Sequence, residues 1–521
     1  MADSSPLLSR VNSSEPEAHP VLHKGPPTLD DAIEQCVGSF GPAQLIQAVL
    51  VSFSWVFDCQ QTFINIFTDA QPSWHCTRAN DMECLSAATP CELPKHAWAW
   101  DQPASTSIIS QWDLMCSNPL ISGLPASSFF AGCLAGGFLL STLADSSLGR
   151  KKMLLLSCLT ISVTGALTVA SPNLWAYSAL RFISGCGRAT ISTCALVLST
   201  EIVGKQWRGE VGIFGFFCSM LGFLSLPAMA YLASGTSWWT LYLCTSVPVI
   251  FYCIAVHFLV HESPRWLFVR GRKDEAIQTL RSIALSNGKI LLSSFSEVAV
   301  EEESWNVDIY SAMKILWEKK WAFRRLLMVM VVGFGVGMVY YGMPLGLGNL
   351  NFNLYLSVTF NALSELPSAL LAFFLIGRMN RRSAVLVFTI LSGLCSVLIC
   401  MVIDGGDMKE VQMGLELVSF FSACTAFNRV LIYTLELFPT SVRSSALSMV
   451  RQTIAISGVI SPLLVVAGRN QGSLSFGVFG VVIGGGGLFV MGLPETRGGP
   501  SCDTMEEEEK KEILNFSGDH E

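Results

Sequence analysis

The chain has 521 residues, of which 51% are hydrophobic and only 14% are charged, and its formal net charge is −7. This composition excludes an ordinary soluble globular protein and is typical of a chain that crosses a membrane many times. The negative net charge and the lack of a basic cluster beside aromatic residues in a polar segment argue against a nucleic-acid partner.

Residues 1–43 precede the first apolar run and are polar and rich in Pro and Ser. They predict a disordered cytosolic tail and contain no cleavable signal. The segment Asp3-Ser4-Ser5-Pro6-Leu7-Leu8 fits the acidic dileucine signal that sorting adaptors bind. Leu7 and Leu8 therefore predict an adaptor as a partner and sorting to a vacuolar or endolysosomal membrane, with an accidental match as the alternative.

Twelve apolar runs follow, each long enough to cross about 30 Å of hydrocarbon as a helix. They predict an all-α membrane protein with two six-helix bundles, 44–260 and 324–493. A cytosolic interdomain loop, 261–323, joins the bundles, and 494–521 forms an acidic cytosolic tail. The runs lie at 44–66, 119–143, 153–171, 174–200, 210–233, 238–260, 326–345, 351–376, 384–403, 411–435, 444–467 and 473–493.

The two predicted bundles share short sequence features, which indicates an internal duplication. EIVGKQWR at 201–208 and ELFPTSVR at 436–443 each place a glutamate and an arginine, seven residues apart, between two apolar runs. The basic links at 149–152 and 380–382 occupy corresponding places. Duplicated bundles are common among membrane transporters, while chance similarity of short loops is the alternative.

Lysine and arginine predict the orientation of the chain. With both termini in the cytosol, the five cytosolic links carry 20 of these residues and the six opposite links carry four. Positive residues accumulate on the cytosolic side of membrane proteins. We therefore assign the tails and the loop 261–323 to the cytosol, and 67–118 to the opposite face.

Two links are long enough to hold structure of their own. The non-cytosolic link 67–118 contains Cys76, Cys84, Cys91 and Cys116, which predict two disulfides in a small cap with the pairing left open. In the cytosolic link, apolar spacing predicts amphipathic helices over 274–284 and 310–321. The lysines of the second suit the anionic inner leaflet of a membrane.

Ionised residues within apolar runs are candidate site residues, because a charge in hydrocarbon is costly. We expect Asp58, Arg188 and Glu365, which lie deep, to line a cavity, with pairing between helices as the alternative. Arg181 and Arg451 lie nearer helix ends, where we expect pairing. The other such residues are Glu416 and Arg429. Gln61 lies in a polar patch with Asp58, and the Tyr340–Tyr341 pair offers aromatic faces for a quaternary ammonium or a place in the interfacial belt.

The charged cytosolic repeats predict a gate between the bundles. Ion pairs across the two halves would hold the cytosolic side shut, and exposed pairs are weak enough to break during a transport cycle. The predicted gate residues are Asp145, Arg150, Glu201 and Arg208 in the first half and Arg381, Arg382, Glu436 and Arg443 in the second.

The sequence lacks the motifs of the common enzyme classes. The Gly-Lys dipeptides at 204–205 and 288–289 are followed by Gln and Ile, so neither belongs to a Walker A loop, and no HExxH or GxSxG occurs. We predict no enzymatic activity, no cofactor and no metal site. Any transport must then draw on gradients rather than on ATP.

Several motifs resemble the major facilitator superfamily in its organic cation/carnitine transporter branch. They are ESPRWLFVRGRKDEA at 262–276, ELFPTSVR, LPETRG at 493–498 and the cysteine-bearing first external loop. SWVFDCQQTF at 54–63, ADSSLGRKK at 144–152 and GRATISTCALVLSTEIVGKQWRGE at 187–210 resemble plant members. The resemblance implies two six-helix domains around a central cavity, alternating access, and organic cations such as carnitine or polyamines as substrates.

The resemblance also assigns site residues and shows two departures. Glu365 matches the acid of helix 8 in this family, and Tyr340 matches an aromatic residue of its cation site. The loop around Asp145 is one residue longer than the family pattern, and the helix 11 position that is aspartate in animal relatives is Ala455 here, one turn after Arg451. We therefore expect zwitterions to bind, with Arg188 or Arg451 pairing with their carboxylate.

The sequence thus predicts a secondary transporter of small organic cations or zwitterions, embedded in the lipid bilayer. The predicted substrate-binding residues are Asp58, Gln61, Arg188, Tyr340, Tyr341, Glu365 and Arg451. A sugar porter and a non-transporting membrane receptor are the alternatives. We expect the vacuolar membrane as its location, with the plasma membrane as the alternative.

Overall fold

The structure is a computed structural model, and it describes the membrane-embedded part of the chain almost continuously. The described residues are 34, 38–78, 84, 89–143, 148–287, 309–350, 352–375, 377–403, 408–439, 441–469, 472–497 and 505–510. Leu7, Leu8 and Asp145 lie outside the described residues.

Twelve apolar helices form the protein, as predicted. Within the described residues, eleven are long and apolar enough to cross a membrane, and the second is a shorter apolar helix whose described apolar stretch is Leu124–Leu140. We number them α1 Pro42–Thr68, α2 Leu124–Leu143, α3 Arg150–Thr168, α4 Leu174–Thr200, α5 Arg208–Leu232, α6 Trp238–Leu259, α7 Lys320–Asn349, α8 Leu354–Leu375, α9 Arg381–Val402, α10 Lys409–Leu437, α11 Arg443–Ala467 and α12 Leu474–Gly492.

The two halves, α1–α6 and α7–α12, pack in the same pattern. In the N-terminal half α1 packs on α5, α2 on α4, and α3 on both α4 and α6. In the C-terminal half α7 packs on α11, α8 on α10, and α9 on both α10 and α12. The halves meet where α2 packs on α11 and α5 packs on α8. This correspondence is what a duplicated bundle produces.

Glycines allow the closest helix crossings. A Cβ on Gly132 of α2 would lie 2.0 Å from the carbonyl oxygen of Phe182, and one on Gly185 of α4 would lie 1.9 Å from that of Phe129. Such distances are impossible for real atoms, so both positions require glycine. Small residues that let backbones approach are a general device of helix packing in membranes, where the hydrophobic effect gives no drive between helices.

The external link forms the predicted cap. Strands Trp74–Cys76 and Trp98–Trp100 pair antiparallel, and disulfides join Cys76 to Cys84 and Cys91 to Cys116. The backbone N–H of Trp238, at the start of α6, donates to the carbonyl of Ser105 at 2.9 Å and so fixes the cap on the bundle. Short helices of the cap lie at Pro90–Glu92, Ala104–Thr106, Ile108–Gln111 and Pro119–Ser122.

Short helices also lie at the face that is predicted to be cytosolic. They lie at Lys205–Trp207, Pro264–Val269, Lys273–Ser286 and Ile309–Glu318. The last one ends before the predicted 321, because α7 already begins at Lys320. Residues 505–510 of the tail are helical and reach this junction. Glu509 pairs with Lys319 at 2.7 Å, and Glu508 pairs with Arg325 at 2.9 Å.

Candidate functional site

Asp58 of α1 and Arg188 of α4 form an ion pair inside the N-terminal half. The Arg188 Nε donates to Asp58 Oδ1 at 2.8 Å, and the two side chains are only 20% and 9% exposed. Arg188 ends the first segment of α4, Leu174–Arg188, so the guanidinium lies at a break in that helix. It also approaches Tyr341 of α7 in the other half. The predicted residues Asp58, Arg188 and Tyr341 are thus neighbours at the interface between the halves.

Glu365 of α8 and Tyr340 of α7 form a second polar pair, within the C-terminal half. The Tyr340 hydroxyl donates to Glu365 Oε1 at 2.9 Å, while Glu365 Oε2 is buried and has no hydrogen-bond partner. Rings surround Tyr340: Phe427 stacks on it at 4.7 Å between centroids, and Phe63 of α1 approaches edge-on at 6.2 Å. An acid with a spare buried oxygen therefore lies beside a wall of aromatic faces.

Arg451 of α11 differs from the expectation that it pairs with an acid. Its side chain is exposed although it lies well inside the helix, and within the described residues it has no hydrogen-bond or ion-pair partner. Its nearest charged and aromatic neighbours are Arg188 and Tyr341, so it faces the region between the halves. Tyr341 in turn packs on Phe130 of α2 at 4.6 Å between centroids.

Gln61 lies in a different environment from the one predicted for a binding residue. It is 1% exposed, its Nε2 donates to Thr245, and its Oε1 and carbonyl oxygen accept from Arg181 at 3.3 and 3.0 Å. Arg181 also donates to Asn65 and lies over the ring of Phe129 at 4.2 Å. Gln61 and Arg181 therefore tie α1, α4 and α6 together, and Arg181 does so through amide and carbonyl oxygens rather than through the acid that we expected.

The remaining membrane charges, Glu416 and Arg429 of α10, are both buried. Arg429 donates to the carbonyls of Ala372 and Leu375 at 3.2 and 3.4 Å and so satisfies the C-terminal end of α8. Glu416 accepts a hydrogen bond from Asn361 of α8 at 3.0 Å.

The halves touch near the external face. Arg469, just after α11, donates to the carbonyl of Asp69, just after α1, at 3.1 Å. The rings of Phe67 and Tyr355 stack at 5.7 Å between centroids, and Tyr231 packs edge-on against Tyr355. A small pocket at this level is lined by residues of both halves, including Asn65 and Asn349. These contacts close the external end of the interface in this conformation.

On the face that is predicted to be cytosolic, gate residues of the C-terminal half pair with each other. Arg381 Nε donates to Glu436 Oε2 at 2.9 Å, and both belong to the C-terminal half. Glu495, after α12, accepts from the backbone N–H groups of Arg381 and Arg382 at 2.8 and 3.1 Å, and so caps α9. Arg443 donates to the carbonyl of Phe438 at 3.3 Å. The Arg381–Glu436 pair thus lies within one half, and ion pairs across the halves stay a prediction.

The N-terminal half repeats this arrangement. Glu262, after α6, accepts from the backbone N–H groups of Arg150 and Lys151 at 3.0 and 3.1 Å and caps α3. Gly149 before them has a φ of 84°, which favours glycine. Ser263 donates to Glu201, and burial raises the pKa of Glu201 in spite of this hydrogen bond.

Glu262 and Glu495 are helix-capping residues beside the predicted gate that the sequence reasoning missed. The signal was available, because both follow the last helix of a half, in ESPR and PETR. Their carboxylates stabilise the N-terminal ends of α3 and α9, where backbone N–H groups lack helical partners. Each therefore links the last helix of its half to the third.

Comparison with known proteins identifies the family of this chain. The family model described as Sugar (and other) transporter matches residues 82–506. The chain is 57% identical over 521 residues to Organic cation/carnitine transporter 3 of Arabidopsis thaliana, covering 98% of this chain and 99% of the relative. The chain belongs to the plant organic cation/carnitine transporter family. It is also 32% identical over 419 residues to Solute carrier family 22 member 3 of Mus musculus, covering 79% of this chain and 73% of the relative.

Solved structures show the same fold at much lower sequence identity. The inward open conformation of the xylose transporter XylE from E. coli has a TM-score of 0.59 and 16% identity, covering 87% of this chain and 96% of that one. A D-xylose-proton symporter structure has a TM-score of 0.60 and 15% identity, with 88% and 98% covered. The likeness confirms the predicted major facilitator fold for this organic cation/carnitine transporter family member.

Proposed function

We propose that this protein is a secondary transporter that carries small organic zwitterions or cations, carnitine-like or polyamine-like, by alternating access. One observation carries the proposal: a buried carboxylate oxygen of Glu365 and the exposed guanidinium of Arg451 have no hydrogen-bond partner in the part of the chain that the structure describes. Both residues belong to the C-terminal half. Relatives that are named organic cation/carnitine transporters support the substrate class.

The cationic end of a substrate binds at Glu365. Among the described residues, its buried Oε2 atom has no hydrogen-bond partner, and the carboxylate accepts one hydrogen bond, from the Tyr340 hydroxyl. A quaternary ammonium offers no hydrogen bond but is attracted both by the carboxylate charge and by aromatic faces. Tyr340, Phe427 and Phe63 supply those faces, and Phe63 belongs to the opposite half. Binding there joins the two halves.

The anionic end of a zwitterion binds at Arg451. A planar guanidinium presents a fork of N–H donors that matches a carboxylate, and Arg451 has none of these donors engaged within the described residues. Arg188 lies close by, but its charge is already balanced by Asp58. Arg451 is therefore the carboxylate partner, and the Asp58–Arg188 pair stabilises the bundle beside it.

Uptake into proteoliposomes tests this assignment. We expect Glu365→Gln to reduce uptake of both labelled carnitine and a labelled polyamine. Arg451→Gln should reduce carnitine uptake by roughly tenfold or more, since a hydrogen bond to a charged group contributes about 1.5–3 kcal/mol. Polyamine uptake should persist in that variant. Arg281→Gln, the same change at an exposed arginine of the helix Lys273–Ser286, is the matched control. Equal loss of both substrates in Arg451→Gln would contradict the carboxylate role.

The same assay separates the alternatives. Uptake of labelled hexose without uptake of carnitine or polyamine would identify a sugar porter. Saturable binding of carnitine without flux would identify a receptor whose external cap or cytosolic loop signals. Transport of carnitine or polyamine excludes both.

We propose that the two cytosolic clusters form the gate on that side. The external face is closed by Arg469 and the Tyr355 stack, so alternating access requires the cytosolic face to close when these contacts open. The clusters around Arg150 and Arg381 each bind the ends of their own half together, and Glu262 and Glu495 hold α3 and α9 in place. Charge reversal at Glu436 should therefore change transport rates.

We also propose the vacuolar membrane as the location, on the basis of the dileucine sequence at Leu7 and Leu8. A Leu7→Ala/Leu8→Ala variant should move to another membrane. Unchanged localisation would remove the argument for a sorting adaptor.

A further inference from the structure

Glu416 of α10 and Asn361 of α8 form a buried pair that the binding site does not use. Both side chains are 0% exposed. The Asn361 Nδ2 donates to Glu416 Oε2 at 3.0 Å and to the carbonyl of Ser357 at 3.0 Å. Within the part of the chain that the structure describes, two buried atoms have no hydrogen-bond partner, Glu416 Oε1 and Asn361 Oδ1. Both are acceptors when the glutamate is ionised. A buried acceptor without a hydrogen bond has lost its contacts with water and gained nothing in exchange, which is unfavourable.

The orientation of the Asn361 amide is fixed by its two partners. Exchanging its oxygen and nitrogen would place the oxygen against the carbonyl of Ser357 and the carboxylate of Glu416, and all three are acceptors. The amide therefore cannot satisfy Glu416 Oε1 by turning over. A proton on Glu416 Oε1 makes that atom a donor, and Asn361 Oδ1 can then accept its hydrogen bond.

No counter-charge stabilises an ionised Glu416. Within the described residues it has no ion pair, and Asn361 is its one hydrogen-bond partner. Apart from the charged helix ends, the titratable residues on the helices packed with α10 are Tyr340 and Tyr341 on α7, Tyr355 and Glu365 on α8, Cys395 and Cys400 on α9 and Arg451 on α11, and α10 itself carries Cys424, Arg429 and Tyr433. Of these, Cys424 shows a direct electrostatic interaction with Glu416. A buried carboxylate without a basic partner takes up a proton.

We infer that Glu416 is a proton-binding site whose neutral acid pairs with the Asn361 amide. Glu416 Oε1 gains a proton from water and the carboxylate loses its negative charge. The new O–H donates to Asn361 Oδ1, while Asn361 Nδ2 continues to donate to Glu416 Oε2. Release of the proton to water on the other side of the membrane restores the carboxylate, and no other bond forms or breaks.

The place of the pair connects this proton to the substrate site, an inference that rests on the proposed transport function. Asn361 and Glu365 are four residues apart on α8, so they lie on one face of that helix, one turn apart. Helix α8 is also the element through which the C-terminal half packs on α5 of the other half. A movement of the halves that opens the external face therefore alters the surroundings of both residues. Proton binding at Glu416 and substrate binding at Glu365 would then be coupled through α8.

Infrared difference spectroscopy on the purified full chain tests the proton site without any substrate. A pH step should produce the carbonyl band of a protonated carboxylic acid, and Glu416→Gln should remove it. Glu410→Gln, at the exposed external end of α10, is the matched control and should keep the band. In Asn361→Leu the band should persist and shift to higher frequency, because the acid carbonyl loses its hydrogen bond. A band that is unchanged in Glu416→Gln would overturn the assignment.

Transport in proteoliposomes tests the coupling. We expect an imposed proton gradient to raise carnitine or polyamine uptake by roughly fivefold or more, the lower end of the usual coupling between two sites. Glu416→Gln mimics the neutral acid, because its amide can both donate to and accept from Asn361. It should keep substrate exchange between equal concentrations and lose the response to the gradient. A gradient response that survives in this variant, or that is absent from the unmodified protein, would overturn coupling through Glu416.

The two assays keep this inference distinct from the proposed function. If the unmodified protein moves none of the substrates, the proposed function fails, and the infrared band still decides whether Glu416 binds a proton. If transport occurs and the band does not depend on Glu416, only the proton site fails.

Discussion

The Asp58–Arg188 pair makes a prediction whose size follows from its geometry. The atoms Nε and Oδ1 are 2.8 Å apart, and the side chains are only 20% and 9% exposed. Two unit charges about 4 Å apart attract by about 4 kcal/mol at an effective dielectric constant near 20. Desolvation offsets much of this gain, so the intact pair contributes little by itself. Removing one partner leaves the other charge buried and unbalanced.

We therefore expect Asp58→Asn to lower the free energy of unfolding by about 3–5 kcal/mol, the usual cost of breaking a buried pair. Arg188→Gln should have a similar effect. The double variant should recover most of the loss, because neither charge then remains. Denaturant unfolding of the purified protein, followed by tryptophan fluorescence, gives the four values of a double-mutant cycle. Because the double variant should be more stable than either single variant, their coupling should be at least as large as the loss in one single variant, about 3 kcal/mol or more, which is the upper end for residues in contact.

A clear result would refute this reasoning. If Asp58→Asn is as stable as the unmodified protein, the Arg188 guanidinium finds another partner, and its charge does not depend on Asp58 for compensation. If both single changes are harmful and the double variant is additive, the two residues act independently. Lys409→Gln, at the exposed external end of α10, serves as the charge-removal control and should leave stability unchanged.

The other predictions concern packing, the cap and the helix ends. Gly185→Ala should destabilise the protein by about 1–3 kcal/mol or more, because its Cβ would overlap a carbonyl oxygen of α2. Gly212→Ala is the control and should leave stability unchanged, because the nearest atom to its Cβ would be 3.7 Å away. Equal shifts of the melting temperature in the two variants would contradict the close packing of α2 and α4 at Gly185. Replacing Cys91 and Cys116 together by Ala should lower the stability of the cap by about 3 kcal/mol, because the disulfide no longer restricts the loop in the unfolded chain. Limited proteolysis measures this, and a cap that stays as resistant as in the unmodified protein would contradict it. Glu495→Gln should lose about 0.5–2 kcal/mol by weakening the cap of α9, measured by hydrogen exchange at the first turn of that helix, and unchanged exchange there would refute the capping role.

Several elements were predictable because their cause is local. The twelve apolar helices follow from runs of apolar residues, since each helix in a bilayer satisfies its backbone internally and exposes its side chains to lipid or to its neighbours. The helix over 274–284 follows from apolar spacing and is observed as Lys273–Ser286. The start of α7 at Lys320 was misplaced by six residues, because Lys320, Arg324 and Arg325 form a charged first turn that projects toward the cytosolic face.

The partners of the polar residues were not predictable in the same way. Gln61 and Asp58 are neighbours in sequence and looked like one polar patch, but they point to different helices, Gln61 toward Arg181 and Asp58 toward Arg188. Glu436 was expected to pair across the halves, and it pairs with Arg381 of its own half instead. In each case the sequence identified a charge that needs a partner, and several partners of opposite charge were available.

The sequence by itself determined the number of helices, their duplication and the residues whose charge needs compensation, because the cost of placing a group in hydrocarbon depends on that group alone. Only the tertiary structure decided which charges are paired, and it leaves Arg451 and one oxygen of Glu365 without hydrogen-bond partners among the described residues. That decision depends on the crossings of helices that are far apart in the chain, such as α2 with α4 and α8 with α10. Packing at those crossings fixes which side chains meet.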